Sequence, residues 1–301
     1  MLPRVMAHPL LHLALLERLA REPAVLPEPL ARALVDDVEY GRFGVVLADL
    51  PGFAAPLQEL RAPLGLRPRP RPLFAQLFHA PRPMAVLLKM AELVARGSLV
   101  KRSAGLALLS GHLAHAAFDR ALDPLSQAIA ERHARPGEDH RLLQRRVEWT
   151  QAIFYLRERF GREPLGDPEL VHWMRVTKRH GLPWAGVGGG IYEIVRLSLF
   201  EVYDRSPTKS EVDAWVRGFY AASRLLASPM GRRLASPKAL ERDRPIVHLG
   251  PGVDFPRELE RAFALAQSYL ARLHQLLERG DFGSRARGRF LSEVPDGQLA
   301  A

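Results

Sequence analysis

The sequence predicts an all-α protein, a multi-helix bundle with further helices toward its C-terminal end. Three observations carry that expectation. Apolar residues recur at helical spacing along most of the 301 residues, alternating strand patterns are scarce, and prolines and glycines punctuate the periodic segments. Residues 10–21 place Leu11, Leu15, Leu16 and Leu19 on one side, with His12 among them, and Pro23 ends that helix. Residues 29–38 form a second helix that opens on proline, which the first turn tolerates. The segment YGRFGVVLADLPGF at 40–53 reads as a buried apolar stretch ending in a turn, with Asp49 at its end. Residues 61–72, RAPLGLRPRPRP, are too proline-dense for a helix or a central strand and read as a solvated loop.

After a short segment at 74–79, an amphipathic helix is predicted over 83–96 and a long one over 101–123. The latter is expected to stop at Pro124, with a shorter helix over 124–135 and a turn at 136–139. Helical pattern resumes over 139–160. The WAGVGGG run at 184–190 has neither the phosphate-binding lysine motif nor a preceding strand, and reads as a flexible connection. Residues 191–203, 209–227 and 255–279 give three more helices. The expected organisation is one helical domain over 1–160, helices of 161–282 packed on the same core, and a flexible tail at 283–301.

Composition narrows the class. Hydrophobic residues make up 47% and charged residues 25%, as in a globular protein with a sizeable core. There is no cysteine, so disulfides and thiolate metal sites are excluded. The net charge of +10 fits nucleic acid, an anionic membrane surface or a phosphorylated substrate as partner. No run reaches the roughly 18 apolar residues of a spanning helix. The N-terminal segment makes a poor signal peptide, with two histidines inside its apolar part, so a cytoplasmic location is expected.

Chemistry concentrates in GHLAHAAFDRALDP at 111–124. On a helix with about 100° per residue, His112, His115, Asp119 and Asp123 share a stripe less than a quarter-turn wide. Imidazole and carboxylate are ligands for a borderline cation such as zinc. The Gly, Ala, Leu and Phe around them turn the stripe inward, where such groups are costly unless paired with one another or with a metal.

Together with His12 in the first helix, Asp49 within GVVLADLP, and Phe78-His79, the pair His115 and Asp119 resembles the bacterial zinc-dependent phospholipase C family over about residues 8–160. The resemblance implies an all-helical fold holding one to three zinc ions, with two expected. It implies phosphodiester hydrolysis of an anionic phosphate ester, a phospholipid head group included, by a metal-activated water. Asp49, His79, His115 and Asp119 would hold one ion, Asp119 would bridge to a second at His12, and Asp49 would be the general base. The chain departs from the pattern in two places. Asp123 precedes Pro124 where the family commonly has histidine, and Gln144 replaces the imidazole of a His-x-x-x-Glu pair ending at Glu148. A carboxylate at Asp123 can still ligate, and His140, one turn before Gln144, is the substitute for the missing imidazole. His112 lies outside the pattern and is expected to support a ligand or the core. The departures keep two alternatives open: a non-catalytic metal-binding or structural member of that fold, and a single-strand nuclease-like protein, for which nucleic acid would be the partner.

Overall fold

A 32-residue helix, α6 (Arg102–His133), is the axis of the molecule. From Ala104 to Phe118 every one of its residues is buried, the pattern of a helix surrounded on all sides. The computed structural model describes residues 7–54, 73–79, 82–177 apart from 138, 162 and 164, 188–234, 241, 244 and 254–295. Among these residues there is no strand, and twelve further helices accompany α6. They are α1 (Ala7–Arg21), α2 (Glu28–Asp36), α3 (Val38–Val46), α4 (Leu73–His79), α5 (Pro83–Arg96), α7 (His140–Phe160), α8 (Glu169–Trp173), α9 (Gly189–Tyr203), α10 (Lys209–Ala227), α11 (Pro229–Leu234), α12 (Phe255–Arg279) and α13 (Ser284–Glu293). Short 3-10 turns lie at Pro23–Val25 and Leu50–Ala54.

Helices α2, α3, α5, α7 and α12 pack directly on α6, and α1 packs on α3 and α7. One apolar core runs from Leu10 in α1 to Phe290 and Val294 at the far end of the chain. Helix α12 is tied back to α1 by Arg18, which grips both Glu260 carboxylate oxygens at 2.6 and 2.9 Å and lies over the Phe263 ring. The 3-10 turn after Asp49 is pressed against α10, where Gly218 meets the Phe53 carbonyl so closely that a Cβ would overlap it. No helix among the described residues is long and apolar enough to cross a membrane.

The apolar stretch expected at 40–53 is largely buried and ends in a 3-10 turn, and its first part belongs to α3, whose two glycines face neighbouring helices. Two sequence readings are corrected. Pro124 does not stop α6. It sits at an exposed position, as does Arg120 one turn before it, so the hydrogen bond that proline cannot donate is missing on the side of the helix open to solvent. Most of the expected tail is helical as α13, because Phe290 and Val294 carry apolar side chains into the core; its last residues, 296–301, lie outside the described residues. The proline-rich loop at 61–72 and residues 184–187 of the glycine-rich connection lie outside the described residues.

Candidate metal centre

Five of the residues singled out in the sequence meet at one buried point between α1, α4, α6 and the turn that follows α3. The last turn of α3 leads into Asp49 through an Asp49 N–H to Val46 carbonyl bond of 3.0 Å. Helix α4 ends on His79, α1 contributes His12, and α6 contributes His115 and Asp119 one turn apart. One ligand atom each from His12, Asp49 and His115 lie within 4.8 Å of one another, and the same holds for His79, His115 and Asp119.

Asp119 is the hub. Its Oδ1 is 3.0 Å from His12 Nε2, and its Oδ2 is 3.0 Å from His115 Nε2 and 3.9 Å from His79 Nε2. The remaining pair, His79 Nε2 and Asp49 Oδ1, stands 3.6 Å apart. Ligands held at about 2.0–2.1 Å around a tetrahedral ion are separated by roughly 3.3 Å, so these spacings suit one small cation. The imidazoles also offer the correct nitrogen. His115 Nδ1 lies 2.9 Å from the Val45 carbonyl and His79 Nδ1 lies 2.8 Å from the Ala75 carbonyl. A carbonyl only accepts, so each Nδ1 carries a proton and each Nε2 faces the cluster, where a bound cation would replace the second proton that Asp119 otherwise holds on His115. Asp49 Oδ2 is buried without a hydrogen-bond partner among the described residues, an atom that a cation or a water would satisfy. On donor type, tautomer and spacing the residues fit a zinc-type ion.

The electrostatics follow from burial. Dehydration alone would depress His115, but the Asp119 carboxylate beside it, with help from Asp49 and the Val45 carbonyl, raises it to about 9. Burial pushes Asp119 upward, yet the adjacent imidazoles of His115 and His12 hold it well below the usual carboxylate range. His79 is lowered, chiefly by dehydration and then against the pull of Asp49. His112 falls to about 3, because burial and the neighbouring His115 both oppose its charge. It stands edge-on to Phe78 at 5.9 Å, and neither ring nitrogen has a hydrogen bond of ordinary geometry among the described residues. That places it beside the centre and outside both converging groups.

The other candidates do not join these groups. His140 is exposed at the start of α7, so it does not replace the imidazole missing at Gln144. Glu148 is buried, and its Oε1 accepts from the Ser126 hydroxyl at 3.0 Å. The Gln144 amide donates to that same hydroxyl at 3.2 Å. Asp123 is buried one turn beyond Asp119, and its backbone carbonyl is a second acceptor for Ser126. Ser126 thus joins Glu148, Gln144 and the Asp123 carbonyl in one hydrogen-bond network. Sequence reasoning missed Ser126 and the two carbonyls of Val45 and Ala75. A carbonyl leaves no residue-type signal, and Ser126 is recognisable only once α6 is known to continue past Pro124.

Four of the five converging side chains are closed to solvent: His12 and His115 are 1% exposed, Asp119 4% and His79 8%. Asp49, at 20%, is the open side of the centre. No family model, curated protein or solved structure matches the chain.

Proposed function

We propose that the protein is a zinc-dependent hydrolase of phosphoric esters, similar in chemistry to phospholipase C and acting in the cytoplasm on an anionic phosphate-ester substrate. The observation that carries this reading is the convergence of His12, Asp49, His79, His115 and Asp119 from four separate segments onto one buried point. Zinc bound there would lower the pKa of a water toward neutrality and polarise a phosphoryl oxygen. The chain's own residues then divide the work. His79 and His115, their Nδ1 protons fixed on backbone carbonyls, hold their Nε2 atoms in position. Asp119 shares its two oxygens between His115 and His12. Asp49 is the most accessible of the five, and its Oδ2 is the atom that would take the proton from an attacking water. The excess of basic residues, net +10, favours an anionic substrate.

A second reading, a metal-binding member without catalysis, is favoured by the Gln144–Ser126–Glu148 network, which commits to hydrogen bonding what the family pattern commits to metal. The nuclease alternative is less favoured, since among the described residues the rings of Phe118 against His12 and Phe78 against His112 are buried and offer no stacking surface. Metal analysis of the purified full chain, paired with hydrolysis of a chromogenic phosphodiester, separates the first two. At least one zinc ion per chain with turnover is expected. Zinc without turnover would select the non-catalytic reading, and no zinc would sink both.

A further inference from the structure

Glycine in a helix interior costs about 1 kcal/mol relative to alanine. Yet α3 carries Gly41 and Gly44 within nine residues, and α6 carries Gly111 in its most buried part. The reason is the contact between these helices. A Cβ on Gly44 would stand 2.1 Å from the Leu108 carbonyl oxygen and 3.0 Å from His112 N. A Cβ on Gly111 would stand 2.0 Å from the Gly41 carbonyl oxygen and 2.8 Å from Val45 N. The two backbones touch directly, with no side chain between them.

That contact leads straight to the centre. Gly111 lies one turn before His115 on α6, and Gly44 is the neighbour of Val45 on α3. The Val45 carbonyl belongs to the last turn of α3, where carbonyls run out of intrahelical donors. The Asp49 N–H that would serve it in a continuing helix goes to Val46 instead, at 3.0 Å. Val45 oxygen therefore takes its proton from His115 Nδ1, at 2.9 Å. The same turn then delivers Asp49.

We infer that Gly44 and Gly111 are positioning residues for the metal centre: their backbone contact sets the depth at which the Val45 carbonyl meets His115 Nδ1, and so fixes the tautomer that presents Nε2. The inference rests on the metal-binding reading of the cluster and adds two residues that touch no metal. Removing a hydrogen-bond partner behind a metal-ligating histidine typically costs 10–100-fold in affinity. Gly41 is the internal control, because its Cβ would meet first the flexible end of Leu34, at 2.8 Å, and no backbone atom closer than 3.6 Å.

The test uses the full chain, zinc alone as ligand in competition with a chromophoric chelator, and long-range proton–nitrogen NMR of the histidine rings. The expected result is an Nδ1–H tautomer at His115 in the zinc-loaded parent protein. Gly111→Ala and Gly44→Ala should lose about 10–100-fold in zinc affinity together with that tautomer signature, whereas Gly41→Ala keeps both within about twofold. Helical circular dichroism identifies which variants fold. If the two severe variants do not, the zinc-loaded parent spectrum decides: a His115 that keeps its proton on Nε2 and binds zinc through Nδ1 overturns the inference. A folded Gly111→Ala that binds zinc like the parent also overturns it. A parent protein that binds no zinc overturns the metal reading instead, while the Nδ1–H of its His115 ring still reports on the contact with the Val45 carbonyl.

Discussion

Asp119→Asn is the sharpest perturbation of the centre, because both carboxylate oxygens are engaged at 3.0 Å, one by His12 and one by His115. The amide keeps the shape and removes the charge. A four-ligand zinc site is worth about 10–16 kcal/mol, so one ligand accounts for roughly 3 kcal/mol, or about 100-fold in Kd. At zinc concentrations about 100 times the parent Kd, linkage stabilises the parent by about 2.7 kcal/mol. After a 100-fold weakening the same zinc gives only about 0.4 kcal/mol. For a chain of this size each kcal/mol moves Tm by about 2–4 °C, so a zinc-induced shift of roughly 5–10 °C should fall to about 1 °C. The metal-free proteins add a pH signature. His115 stands at about 9, above its unfolded value, through Asp119. Its contribution, on the order of 3 kcal/mol, is therefore fully present below about pH 6.5 and is lost as pH rises through about 9. Metal-free Asp119→Asn should melt below the parent at pH 6, with the gap closing by pH 9.5. Calorimetry with and without zinc measures both effects. A variant that keeps the parent's zinc content and zinc-dependent Tm refutes the placement of the metal at Asp119.

Other expectations follow from the same structure. His112 is held at about 3, below its unfolded value, so folding loses stability as pH falls below about 6.5. That loss should reach about 2 kcal/mol by pH 5, and His112→Leu should flatten it in urea titrations; an unchanged acid limb would contradict the buried, neutral imidazole. Pro124→Ala restores a backbone donor on the exposed side of α6 and should raise stability by about 1–3 kcal/mol, whereas a lower Tm would mean that the proline fits a bend the helix needs. Phe290→Ala should cost about 3 kcal/mol, because the ring is 5% exposed within the core; a neutral result would return residues 284–293 to the status of a tail.

The parts of the fold that were legible share one property, a boundary signal written in local sequence. Helix α5 (Pro83–Arg96) opens on proline and closes on Gly97, whose φ of 71° is the left-handed cap that glycine takes without strain. Helix α10 opens on the Thr208–Glu211 capping box, and α12 opens on Asp254, which accepts from Arg257 N–H, and closes on Gly280. All three were located to the residue. Where the sequence misled, the surroundings of the segment overrode local preference. Pro124 is tolerated because its side of α6 faces water, and α13 is ordered because two apolar side chains reach a core assembled far away in sequence.

The centre shows the same division more sharply. His115 and Asp119 are legible because a stripe on one helix is a local pattern, and the His12, Asp49 and His79 motifs place one candidate each. Their meeting is not local. It depends on a helix contact whose only trace in the sequence is glycine where alanine would make a better helix, at Gly44 and Gly111. Read alone, such glycines only weaken a helix prediction. Read with the structure, they are what allows a carbonyl from one helix end to reach an imidazole on another at 2.9 Å. The residues that look least favourable to secondary structure are therefore the ones that make the buried histidine a usable ligand, since an imidazole with an unfixed tautomer would offer its lone pair to the cluster only part of the time.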